Sequence, residues 1–217
     1  MVACNFYHCL YVAVNDTTRN SMCYIIRLEM PSKRTEWKVG DYTRYACISV
    51  TSSHHLLVFC HEAKNLKLFS TDGVLHKTVE LPRDLVSVSC AVELMPGQYV
   101  VTHGRGSDIL HQVCVFNNEG KILRTFGGFP GSLSNLLNSP SDVAVDKDGF
   151  VYVDDERNDR LIVLTQDLDC THWMPHKFAR SSHVFRRRMK VDKESEHISV
   201  AYHDNSHYVT MCKFEIW

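Results

Sequence analysis

The stretch "SPSDVAVDKDGFVYVDDERNDRLIVL", Ser139 to Leu164, holds two alternating apolar runs, a Lys-Asp-Gly turn and a charged loop that leads into "LIVL". Alternate side chains of a strand point to opposite faces, so "DVAVD" and "FVYVD" read as strands, and Asp-Gly between them reads as a tight hairpin turn. Whether this is one hairpin or one unit of a repeat decides the fold, and self-similarity along the chain is the test.

Short apolar runs ending in an aromatic residue or leucine recur: "CYIIRL" to Leu28, "LKLF" to Phe69, "VCVF" to Phe116, "LIVL" to Leu164 and "MCKF" to Phe214. The steps between those ends are 41, 47, 48 and 50 residues. After Phe69 and Phe116 the same sequel follows, "STDGVLHKTVEL" and "NNEGKILRTFG", with Gly73 and Gly120 at equivalent turn positions. A further strand precedes each marker: "LYVAV", "LLVFC", "QYVVT", "FVYVD" and "ISVAY". Before four of these stands another: "YACISV", "VSVSCAVEL", "DVAVD" and "RRMKVD". Each unit is thus four short antiparallel strands, a to d, and about 45 residues per four-stranded unit is the mark of a β-propeller blade. The predicted fold is all-β, with blades at about 1–40, 41–82, 83–128, 139–175 and 184–217 in a single domain spanning 1–217. The first unit opens at its b strand and the last stops at c, so the expectation is about four and a half blades of a larger ring.

The chain has 217 residues, enough to bury about 70% of the unfolded surface without disulfides. With 24 basic against 25 acidic residues it lacks the basic excess of a protein built to neutralise phosphates, so no DNA partner is expected. No stretch approaches a membrane span and no export signal stands at "MVACNFYHCLYVAVND", so a cytoplasmic location and no membrane partner are expected. The nine cysteines have neither Cys-x-x-Cys nor zinc spacing and read as reduced, packed thiols.

At Asp155, Asn158 and Arg160 the opening stretch resembles an NHL repeat: a Pro-initiated strand at Pro140, "VAVD" to Asp146, a turn at Gly149, "YVDD", then "N-x-R" into an apolar strand. "GKILRTFGGFPG" upstream resembles the d strand and Gly-rich connector of tripartite-motif (TRIM) NHL proteins. The other units read "KNLK", "LHQV", "NSMC" and "NSHY" at the N-x-R position and keep only the strand pattern. The resemblance implies a six-bladed ring, the end of a longer protein, that recognises protein or RNA on one face. In TRIM proteins a RING finger, B-boxes and a coiled coil supply ubiquitin-ligase chemistry, and this sequence shows no such elements.

Asp155, Asn158 and Arg160 read first as residues that tie down a loop by charge-assisted bonds, with ligand contact as the alternative. "DKDG", Asp146 to Gly149, reads as a hairpin turn because no bidentate glutamate follows at calcium-loop spacing. The b–c connections and the links between blades emerge on one face, which nominates Arg44, Arg83, His103, Arg105, Asp108, Arg157 and Arg180 as the partner-binding set. A protein partner is expected, with single-stranded RNA as the alternative. His61, His103, His111, His203 and His207 are assigned to b–c connections. Metal binding by them, as in propeller lyases, is the remote third reading, and no cofactor or metal is expected. "FRRRMK" (185–190) reads as a strand start with solvated arginines. No nucleophile elbow or phosphate loop is present, so the chain is expected not to be an enzyme.

Overall fold

The computed structural model describes residues 9–16, 22–29, 32–40, 46–60, 64–107, 109–175, 186–192, 197–203 and 209–215. Strands β1 (Cys9–Asp16), β2 (Met22–Glu29) and β3 (Lys33–Gly40) form the first sheet. The second holds β4 (Ala46–Val50), β5 (Leu56–Cys60), β6 (Asn65–Phe69) and β7 (Leu75–Glu80). The third holds β8 (Val88–Met95), β9 (Gln98–His103), β10 (His111–Asn117) and β11 (Ile122–Gly128). The fourth holds β12 (Pro140–Val145), β13 (Val151–Asp155), β14 (Arg160–Leu164) and β15 (Cys170–Pro175). The last holds β16 (Arg186–Asp192), β17 (His197–His203) and β18 (Val209–Glu215). Each sheet is an antiparallel meander in chain order, and its innermost described strand packs on that of the next: β1 on β4, β4 on β8, β8 on β12, β12 on β16. This is the blade arrangement of a β-propeller.

The alternation in each blade follows from what covers it. In the fourth blade Val153 lies opposite Val143 on one side and Ile162 on the other, and every residue of β13 and β14 is buried, because neighbouring blades cover both faces. The outer strands β7 and β15 are almost wholly exposed, and β7 carries the polar run His76, Lys77 and Thr78, which discourages edge-to-edge pairing. One apolar core joins the second, third and fourth blades, and smaller cores lie between the first and second and between the fourth and fifth.

The c–d turns repeat a device. Ser70 Oγ accepts the N–H groups of Asp72 (3.3 Å) and Val74 (3.0 Å). Asn117 Oδ1 accepts those of Glu119 (3.1 Å) and Lys121 (3.0 Å), and Thr165 Oγ1 accepts those of Asp167 (3.3 Å) and Asp169 (3.1 Å). Each turn sits just past a β-bulge, at Leu68/Phe69, Val115/Phe116 and Val163/Leu164. Gly73 and Gly120 take φ of +87° and +74° there, a conformation that glycine adopts without steric cost. Asp146 does the same work in the a–b turn of the fourth blade, accepting from Asp148 and Phe150 N–H groups at 2.9 Å and from the Tyr152 hydroxyl at 2.9 Å. With Gly149 at φ +87°, the "DKDG" stretch is a hairpin turn.

Cys47 and Cys90 are buried on the facing inner strands β4 and β8, with Cα atoms 5.5 Å apart, a separation a disulfide can span. Cys9, Cys23 and Cys114 remain buried free thiols, and Cys170 is exposed.

Candidate functional site

The link between the third and fourth blades, residues 129–139, is ordered without regular secondary structure. Its backbone polar groups therefore need partners from elsewhere, and the b–c connection of the fourth blade supplies them. Asp155, fully buried at the end of β13, accepts the Asn138 N–H (2.6 Å), the Asn158 amide (2.7 Å) and Arg160 Nε (2.7 Å). The Asn158 amide also donates to the Gly131 carbonyl at 2.8 Å. The Arg160 guanidinium donates to the carbonyls of Ser132 (3.1 Å), Leu133 (2.9 Å) and Leu136 (2.6 Å), and lies 5.8 Å from the centre of the Trp173 ring. Between these residues a single 3-10 turn, Glu156–Asn158, is closed by Asp159 in the left-handed region. Burial pushes the Asp155 carboxyl above its ordinary value, against the opposing pull of the Asn138 N–H, Asn158 and Arg160.

Two more ties complete the link. The Arg157 N–H donates to the Asn138 carbonyl at 3.0 Å, and His111 Nδ1 accepts the Ser139 N–H at 3.0 Å. Leu137 is fully buried beneath, while Phe129 and Leu133 are 67% and 68% exposed. The N-x-R residues thus hold a loop, and Pro140 starts the strand that follows it.

Of the nominated partner-binding residues, Arg83, Arg105 and Arg157 are exposed, and the side chain of none of them meets a partner among the described residues. Arg83 lies in the link before β8 with exposed Val86, and Arg105 in the β9–β10 connection with exposed Leu110. Arg44, Asp108 and Arg180 lie outside the described residues. His103 does not belong to the face: β9 runs through it, and it is only 3% exposed. His111 is likewise a strand residue, the first of β10, and is fully buried. Neither ring nitrogen of His103 has a well-formed hydrogen bond, and burial lowers its proton affinity although the Val86 carbonyl and the Gln112 side chain favour the charged form. His203 closes β17, and His61 and His207 lie outside the described residues. Among the described residues no three of His, Cys, Asp and Glu are grouped to hold a metal ion. Burial pushes the Cys114 thiol up to about 12, which leaves it protonated and poorly nucleophilic near neutral pH.

What sequence reasoning missed is the exposed apolar set on this side: Val86, Leu110, Phe129 and Leu133. The signal was present in "GGFPGSLSNLL", where apolar residues occur in a stretch with neither strand alternation nor helical period.

No protein-family model matches the chain, and no curated protein does. Solved structures do. A catalytically inactive virginiamycin B lyase from Staphylococcus aureus with quinupristin is similar at 15% identity and a TM-score of 0.57, over 96% of this chain and 74% of that one. A streptogramin B lyase is similar at 11% identity and a TM-score of 0.56, over 94% and 68%. A protein of unknown function from Bacteroides caccae is similar at 12% identity and a TM-score of 0.54, over 94% and 72%. At these identities the likeness establishes the propeller fold.

Proposed function

We propose that this propeller is a non-catalytic recognition module of NHL type, which binds a protein partner through its b–c and inter-blade loops. In a longer TRIM-like protein of the cytoplasm it would recruit substrates for ubiquitin transfer. The observation that carries the reading is the set of exposed arginines Arg83, Arg105 and Arg157, whose side chains meet no partner among the described residues, together with exposed Val86, Leu110, Phe129 and Leu133 on the same loops. Cations without local partners beside apolar side chains left in water are the composition of a binding surface. The NHL assignment draws on the "VAVD…YVDD…N-x-R" pattern and on the loop-holding work of Asp155, Asn158 and Arg160. A lyase activity is the competing reading, and its support is the fold shared with the streptogramin-type lyases.

The test is crosslinking of the full chain in cell extract, compared with a variant carrying Arg83→Glu, Arg105→Glu and Arg157→Glu. These exposed sites tolerate reversal without loss of fold. Proteins captured by the wild type and lost from the variant are the expected result. An identical capture set from both would overturn the reading.

A further inference from the structure

We propose that the link between the third and fourth blades is a docking platform for an acidic polypeptide segment that carries apolar anchor residues. This rests on the reading that the loop face recognises a protein, and it names the chemistry of that protein. Phe129 and Leu133 are the two most exposed of the large apolar side chains described, and they sit on a link whose backbone is held from Gly131 to Ser139 by several bonds. Arg160 holds the carbonyls of Ser132, Leu133 and Leu136, Asn158 that of Gly131, Asp155 the Asn138 N–H, and His111 the Ser139 N–H.

The ties satisfy the backbone of an irregular link, and they also fix the segment that carries Leu133. Apolar groups held rigid in water lose little further freedom when a partner covers them, which is the condition for an interface anchor. The charge of the occupant follows from the neighbours. Arg157 is attached to the platform through its own N–H on the Asn138 carbonyl, and its side chain is exposed and meets no partner among the described residues. Arg105 shares a short connection with exposed Leu110, which precedes the His111 that holds Ser139. Glu156 and Asp159, the acids of the facing turn, are half-buried and already engaged, so within that described turn the charge left for a partner is that of Arg157. An occupant with carboxylates flanking aromatic or aliphatic residues satisfies both features at once.

The experiment is selection of a random peptide library displayed on phage against the immobilised full chain, with a fluorescent oligouridylate titrated in parallel. The expected peptides combine Asp or Glu with Leu, Phe or Trp. Their affinity should fall by about tenfold or more in Leu133→Ser and in Arg157→Glu, with melting temperatures unchanged because both side chains are exposed. Peptides that bind equally well to both variants would overturn the platform while leaving recognition by the wider face to the reversal of the three arginines. Failure to enrich any peptide, with oligouridylate binding that Arg157→Glu abolishes, would overturn the platform and the protein reading together, in favour of single-stranded RNA.

Discussion

Arg160 reaches four acceptors from one buried side chain: the Asp155 carboxylate and three carbonyls of the link. Its removal would leave a buried carboxylate without its cation and the carbonyls of Ser132 and Leu136 without donors, while Leu133 keeps the Leu136 N–H. Removing one partner of a buried pair costs about 3–5 kcal/mol, so Arg160→Ala is expected to lower stability by that order in denaturant titration. Chymotrypsin should also cut faster after Leu133, because the link loses its ties. Arg160→Lys, with a point charge in place of a fork, should fall between wild type and alanine. The sequence offered Asp155, Asn158 and Arg160 as residues that tie a loop or touch a ligand, and in the structure they bond the link. It could not mark what they hold, because backbone carbonyls have no letter of their own. His103 was misplaced for a related reason: "QYVVT" reads as a complete strand, and the pairing of His103 with Gln112 that lengthens it is visible only once the register is known.

At the level of the elements, the inner and middle strands of the repeat were legible, because blades that pack on both faces demand continuous apolar runs there, whereas the exposed outer strands β3 and β15 carry no such run. The approach of Cys47 to Cys90 was not legible. The two stand in different blades, and their approach is set by how β4 packs on β8 rather than by any spacing in the sequence. A bridge between them would close a separation of 43 residues, for which the chain-entropy treatment gives about 4 kcal/mol of stabilisation. Digestion of protein purified without reductant is expected to return the Cys47 and Cys90 peptides joined, and Cys47→Ser is expected to melt at lower temperature. Separate, fully alkylated peptides would show that the thiols are reduced and that the second and third blades are held by packing alone.

For the molecule as a whole, β1 and β18 each lie at the edge of a three-stranded sheet, so each presents an unpaired backbone edge among the described residues. Such edges template pairing with other chains. The chain expressed alone is therefore expected to elute from size exclusion with light scattering as concentration-dependent oligomers. A single monomeric peak with cooperative unfolding would show that its five sheets suffice to satisfy one another. The repeat could be read from the sequence even though its blades share few residues, and the c–d turns explain how. Ser70, Asn117 and Thr165 stand 47 and 48 residues apart and do one job, offering an oxygen to two N–H groups. The turn requires an acceptor atom there, not a particular amino acid. Kinship among such blades is thus written in oxygen positions and spacings, and a comparison that scores letters will lose ancestry that one scoring acceptors at the bulge would still recover.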